Sequence, residues 1–196
     1  MRLFFGLEIP EEIKERLTMV MHGMDYVRWH HPDQMHLTLC FLGEVSHHQA
    51  SDINAVAGLV PFEPFDLMLD GIGYFGSKEK PRALWANVAG TKPLIALQKR
   101  LTQALVPVGI HLQERKFKPH ITLARFKGRP LFFDDYMESN KSLSSAPFHV
   151  RNFCLYESRM GRTGSHYEIL ARYPVAQNFH SDNSYDMAES HEYQSF

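Results

Sequence analysis

The chain has 196 residues, 44% hydrophobic and 12% aromatic, enough to bury a sizeable core in one domain or two closely packed lobes. No stretch approaches the roughly 18 uninterrupted apolar residues of a membrane span, and the N-terminal "MRLFFGLEIPEEIKERL" turns acidic and proline-broken too early for a secretory signal. We therefore expect a cytoplasmic protein without membrane association. The net charge of −1 hides an asymmetry: residues 1–77 carry 4 basic and 11 acidic side chains, residues 78–172 carry 17 and 7, and residues 173–196 carry 0 and 4.

In chain order, the apolar periodicity predicts a strand over 2–9 and a helix over 10–21 opened by Pro10, where a missing N–H costs no hydrogen bond. A strand over 35–42 follows, then a helix over 47–59 behind Ser46 as cap, and a strand over 65–75. The pattern then restarts. It gives a strand over 82–89, a helix over 92–106 ended by Gly109, a strand over 119–126, a helix over 133–142, and strands over 148–157 and 166–173. From Ala176 the chain is polar and without apolar period, so residues 176–196 are expected to be a disordered tail.

The restart is a repeat. "RLFF" at Arg2 is echoed by "RALW" at Arg82, Pro10 by Pro93, "HLTLCFLG" at His36 by "HITLARF" at His120, and "PFDLML" at Pro64 by "PFHVRNF" at Pro147, at offsets of 80 to 84. A duplicated unit of strand, helix, motif strand, connection and strand implies two halves about a pseudo-twofold axis. Each half contributes a sheet whose motif strand faces a common cleft.

Strand geometry decides what the motif presents. Residues i and i+2 share a face, so His36 and Thr38 point one way and Leu37, Leu39 and Phe41 the other; His120 and Thr122 likewise oppose Ile121 and Leu123. Two imidazoles across a cleft suit a reaction that takes one proton and gives another near neutral pH. Two hydroxyls could donate to phosphate oxygens, and the basic run Arg115, Lys116, Lys118, Arg125, Lys127 and Arg129 would attract the anion. These parts fit phosphodiester cleavage without a metal or a covalent enzyme intermediate. A satisfied structural His/Thr pair is the blander explanation, and its double occurrence at matched positions weakens it. Zinc is short of ligands with two histidines, and nothing marks Cys40, which shares parity with His36, as an activated thiolate. Cys40 and Cys154, in apolar runs without CxxC spacing, are expected as buried free thiols. The adjacent histidine pairs His30–His31 and His47–His48 are read as turn or helix-start residues in solvent.

The paired "HLTLCFLG" and "RKFKPHITLARF", with "MRLFFGLEIP", "VRWHHPDQMHLTL" and "LYESRMGRTGSHYEILARYP", resemble the RNA 2′,3′-cyclic phosphodiesterase family, also called 2′-5′ RNA ligases, of the two-histidine phosphoesterases. The likeness runs over about residues 1–175. It implies an α+β fold with two antiparallel sheets flanking a central cleft, as one bilobal domain over 1–175 whose lobes share strands. It also implies opening of a terminal RNA or nucleotide 2′,3′-cyclic phosphate to a 2′-phosphate, with reversible 2′-5′ joining as a side reaction; the protein is expected to be a monomer that uses no cofactor and no metal. By that resemblance His36 is the proton donor, His120 the proton acceptor, and Thr38 and Thr122 hold phosphate oxygens. The denser positive charge around His120 would lower its pKa and agrees with the base role. Arg125 matches the family's "HITLAR" as a phosphate contact, although strict alternation puts it on the core face unless the strand ends or bulges first. Arg115 is a candidate guide for the RNA backbone or a solvated arginine, and Phe5, Trp29, Phe41 and Tyr156 are core-packing residues of which one or two are candidates for stacking on a base. Two alternatives remain open: a binding module for RNA ends or nucleotides without turnover, and a phosphoesterase for a non-RNA cyclic phosphate such as an ADP-ribose derivative.

Overall fold

Alternation of large apolar residues in "RLFFGLE" drives β1 (Arg2–Glu8), whose Leu3, Phe5 and Leu7 enter the main core while Phe4 turns to the opposite face. The computed structural model describes residues 1–112, 116–161 and 164–174. The tail expected from 176 and Arg115 lie outside the described residues. After β1 come α1 (Glu11–Thr18), β2 (Val27–Trp29), β3 (His36–Glu44), α2 (His47–Ala57) and β4 (Phe65–Gly76). Then follow β5 (Pro81–Ala89), α3 (Lys92–Leu105), β6 (His120–Phe126), α4 (Phe133–Asn140), β7 (Phe148–Val150), β8 (Asn152–Gly161) and β9 (Gly164–Pro174).

Helices α2, α3 and α4 start at the expected residues, while α1 ends at Thr18, short of the expected 21. Ser46 caps α2 by accepting from the Gln49 N–H at 3.1 Å, and Gly109, at φ 77°, ends the short 3-10 turn that follows α3. Along α3, Leu94, Leu97, Leu101 and Leu105 recur at three- and four-residue spacing, and all four are fully buried against the sheet.

The strands run in the order β7-β4-β5-β6-β3-β1-β8-β9, every pairing antiparallel, with β2 added on β6. The two motif strands lie side by side at the centre, joined in register at Leu37 and Ile121. From that point the halves read outward as equivalents: β3, β1, β8 and β9 on one side, β6, β5, β4 and β7 on the other. The third strands are exchanged between the sequence repeats. β4, from the first repeat, pairs with β5, and β8, from the second, pairs with β1.

The register corrects one detail of the repeat. Gly6 pairs with Thr38 and Glu8 with His36, while Trp85 pairs with Thr122 and Asn87 with His120. The spatial equivalent of Trp85 is therefore Gly6, not Phe5 as the "RLFF" and "RALW" echo suggested.

β2 was not anticipated from the sequence. Its three residues are too few to show a period, and of the two roles open to Trp29, stacking on a base and core packing, the fold takes the second. In the fold Trp29 pairs with Ala124 and packs on Tyr136 and the core. Among the described residues no helix is long and apolar enough to cross a membrane.

Candidate active site

Both motif strands carry a bulge at the same place, and it decides which side chains meet. Thr38 pairs with Gly6 and Cys40 with Phe5, so Leu39 is the extra residue; Thr122 pairs with Trp85 and Ala124 with Leu84, so Leu123 is the extra one. An extra residue flips the alternation beyond it. Leu39 and Cys40 are both buried, as are Leu123 and Ala124, and the residue after each pair turns outward: Phe41 is 66% exposed and Arg125 is exposed.

Three expectations change accordingly. Phe41 is not a core residue but stands on the cleft face beside Phe4, at 5.7 Å between ring centroids. Arg125 reaches the His/Thr face because β6 bulges before it. Cys40 does not share the face of His36 and Thr38; it is buried, and burial pushes its thiol up to about 12, so it remains a protonated core residue. Cys154 is likewise buried and pushed up to about 12.

On the cleft face each half now presents the same three positions, His36, Thr38 and Phe41 against His120, Thr122 and Arg125. Because β3 and β6 run antiparallel through Leu37 and Ile121, His36 falls opposite Thr122 and Thr38 opposite His120.

The two imidazoles are held identically. Nδ1 of His36 donates to the Gln34 carbonyl at 2.8 Å, and Nδ1 of His120 donates to the Lys118 carbonyl at 2.7 Å. A carbonyl can only accept, so each ring carries its proton on Nδ1 when neutral and leaves Nε2 to the cleft. Gln34 is itself fixed: its amide donates to the Ser165 carbonyl at 2.6 Å and its Oε1 accepts from the His31 N–H at 2.8 Å. The tip of the β8–β9 hairpin thus supports the ring of His36.

Aromatic rings wall both histidines. His36 lies 4.7 Å from Phe4, 5.8 Å from Tyr156 and 4.7 Å, edge-on, from Tyr167. His120 lies 4.9 Å, edge-on, from Phe75 and 6.0 Å from Trp85. Two glycines make room for these walls. A Cβ on Gly73 would fall 2.2 Å from the Trp85 ring, and one on Gly6 would fall 3.3 Å from Tyr156 and 2.9 Å from the Leu37 carbonyl. Lys118 Nζ sits 4.2 Å over the Trp85 ring and so stays beside His120.

This environment keeps both rings uncharged at rest. Burial, aided by the fields of His30 and His120 and opposed by the Gln34 hydrogen bond, brings His36 down to about 4. Burial also lowers His120, with Arg125 and Lys118 as smaller causes and the Lys118 carbonyl opposing. The positive charge emphasised by the sequence is therefore secondary to desolvation, and the deeper ring, His36, is the one brought furthest down.

Several groups at the cleft had escaped the sequence reading. Glu8, paired in register with His36, receives a bidentate Arg172 guanidinium at 2.9 and 2.9 Å. That hydrogen bond holds the Glu8 carboxyl below its usual range, and the Arg172 charge offsets it beside His36. Partners 164 residues apart in sequence leave no local signal. The sequence pattern places His30 in a turn, in solvent. It is instead largely buried, its Nδ1 without a hydrogen-bond partner among the described residues, and burial with the charges of Arg125 and Arg28 brings it down to about 4. The stacking candidates divide. Phe5 is 0% exposed between Phe153 and Tyr173 on the core face, and Tyr156 is 5% exposed and stacked on Phe4, so neither offers a face to a base. Trp29 belongs to the core side; Phe41 alone of the four is freely exposed. Among the described residues no group of three or more His, Cys, Asp or Glu side chains is placed to hold a metal ion.

A paired His/Thr face at the meeting point of two equivalent half-sheets defines a two-histidine fold. The family model of the 2′-5′ RNA ligase superfamily matches residues 8–162, and the chain belongs to that superfamily. The RNA 2′,3′-cyclic phosphodiesterase of Thermotoga maritima is 32% identical over 178 residues, covering 87% of this chain and 93% of that protein. The protein of the same name from Archaeoglobus fulgidus is 29% identical over 173 residues, covering 87% and 98%. Among solved structures, TT0787 of Thermus thermophilus superimposes with a TM-score of 0.76 at 28% identity, over 89% of this chain and 98% of that one. Escherichia coli LigT complexed with 3′-AMP gives a TM-score of 0.72 at 30% identity, over 90% and 98%.

Proposed function

We propose that the protein hydrolyses the 2′,3′-cyclic phosphate at an RNA end or on a nucleotide to a 2′-phosphate, with His36 and His120 as the proton-transferring pair. One observation carries the reading: two imidazoles on adjacent motif strands, each fixed through Nδ1 by the carbonyl two residues earlier, each with Nε2 left to the cleft. The relatives named as RNA 2′,3′-cyclic phosphodiesterases support the substrate class.

In this reading water attacks phosphorus while Nε2 of His120 takes its proton. The bond from phosphorus to the 3′ oxygen breaks, and Nε2–H of His36 supplies the proton that oxygen needs to leave. The division of roles is the one the resemblance implies. Thr38 and Thr122 donate to the non-bridging oxygens, where negative charge grows as the pentavalent arrangement forms. Arg125 adds positive charge at the end of the cleft. A bound phosphate anion favours the charged ring, so it raises the depressed histidine pKa values and supplies the imidazolium at the moment it is needed. With a 5′-hydroxyl in place of water the same transfers join two RNA ends through a 2′-5′ phosphodiester, the 3′ oxygen leaving as before; run backwards, the 3′-hydroxyl attacks that link, the 5′ oxygen leaves, and donor and acceptor exchange roles. Each half contributes one histidine, so both lobes are needed for turnover.

The test is incubation with adenosine 2′,3′-cyclic phosphate in the presence of a chelator, followed by product analysis. Adenosine 2′-monophosphate is expected from the parent protein and is lost in His36→Ala and His120→Ala. A parent protein that binds the nucleotide without turning it over would overturn the proposal.

A further inference from the structure

The pseudo-twofold symmetry of the cleft breaks at its ends. Beyond Phe41, on the side away from β1, the chain leaves a recess lined by Phe41, Gln98, His111 and Phe117. At the equivalent place beside Arg125 the sheet gains β2, which sets Arg28 in register with Arg125. Side chains opposite one another on neighbouring strands lie about 5 Å apart at Cβ, and like charges there repel. Neither guanidinium is relieved by a carboxylate: among the described residues the arginines in ion pairs are Arg129, Arg159 and Arg172. Two exposed, unpaired arginines facing one another at the end of a phosphate-binding cleft are a gap for an anion.

The surroundings say how large that anion's carrier is. Arg28 also lines a cavity of about 380 Å³ with His31, Gln34, Ser165 and His166. Asp33, the carboxylate among the lining residues, lies 3.1 Å from His31 and is in no ion pair with Arg28 among the described residues. Arg125 follows Thr122 by three residues, so the pair stands roughly 7–10 Å along the strand from the motif face at about 3.3 Å per residue, a span of the order of one nucleotide.

On the reading given above, we infer that Arg28 and Arg125 together hold a second phosphate, the phosphodiester that precedes the terminal nucleotide, with the preceding residue of the RNA lying towards the Arg28 cavity. An oligonucleotide end is thus favoured over a free nucleoside cyclic phosphate, which reaches only the motif face. Arg125 alone could serve a single phosphate; it is Arg28, delivered by the unmatched strand, that makes the place bidentate.

The experiment compares one and two phosphates on otherwise identical ligands. Calorimetry with adenosine 2′-monophosphate and adenosine 2′,5′-bisphosphate gives an affinity ratio, and hydrolysis of adenosine 2′,3′-cyclic phosphate against its 5′-phosphorylated form gives a kcat/KM ratio. The parent protein is expected to favour the second phosphate by about tenfold, the scale of a charged hydrogen-bonded contact. Arg28→Ala should reduce both ratios to less than about threefold, and Arg28→Lys should restore part of them. A parent ratio near one, or a ratio unchanged by Arg28→Ala, would overturn the inference. Should no cyclic phosphate be hydrolysed while the bisphosphate preference and its loss in Arg28→Ala persist, the second-phosphate site stands and the catalytic reading falls.

Discussion

Leu37 and Ile121 face one another at the register point where β3 meets β6, and the four polar side chains of the two motifs are arranged about that pair. One residue to either side along each strand come His36 and Thr38, and His120 and Thr122, so a single apolar contact fixes the mutual placement of both lobes' polar groups.

Removing either imbedded imidazole should be costly to rate and cheap to fold. His36→Ala and His120→Ala are each expected to lower kcat for a nucleoside 2′,3′-cyclic phosphate by roughly 10² to 10⁴, the usual worth of positioned proton transfer. Substrate affinity, measured separately by equilibrium binding, should change far less than the rate. A variant that keeps most of the parent's kcat would remove that histidine from the reaction.

The depressed pKa values set the pH dependence. On the proposed mechanism the free enzyme needs one ring charged and the other neutral, and both rings titrate below the ordinary histidine range, His36 at about 4. Above about pH 6.5 the charged fraction falls with each step in pH, so kcat/KM should decline between pH 6.5 and 8.5, approaching tenfold per unit. A profile that rises or stays level through that window would contradict the burial argument.

The same burial has a stability consequence. Between about pH 4, where folded His36 titrates, and about 6.5, where it would titrate unfolded, the unfolded chain binds more protons, so the folded state weakens as pH falls through this interval. His30, also brought to about 4, adds in the same direction. The melting temperature of His36→Gln should therefore fall less steeply from pH 6.5 to 4.5 than that of the parent, and parallel curves would refute the link.

Gln34 is a positioning residue: its side chain ties His31 and the β8–β9 tip to the carbonyl that orients His36. Gln34→Ala should lower kcat about tenfold with little change in KM, on the scale of a lost hydrogen bond near a reacting group. Equal loss in a substrate-binding assay would point to a binding role instead.

Gly73 exists for Trp85. A methyl group there would meet the indole at 2.2 Å, so Gly73→Ala should destabilise the protein by about 1–3 kcal/mol and shift the wall against which His120 rests. Chemical denaturation measures the first effect, and the kcat of the variant the second.

What the sequence made legible follows from what repeats and alternates. The His/Thr parity, the helix caps at Ser46 and Gly109, and the leucine stripe of α3 all depend on near neighbours, and all are found where the pattern put them. The bulges at Leu39 and Leu123 have no such mark, since an extra residue in a run of apolar residues looks like any other apolar residue. Missing them misplaced Phe41 and Cys40 and left Arg125 undecided. The exchange of β4 and β8 between lobes, the Glu8–Arg172 pair and the docking of β2 are long-range pairings, settled by which strand edges find each other and not by any local period.

The most direct test of the two-histidine arrangement is a crystal structure of the protein with a nucleoside vanadate, which imitates the pentavalent phosphorus. Nε2 of His36 and Nε2 of His120 should each lie within about 3 Å of oxygens on the one vanadium atom, on opposite sides of it. A vanadate contacted by only one of the two rings, or bound away from both, would contradict the shared-phosphorus arrangement on which the reaction depends.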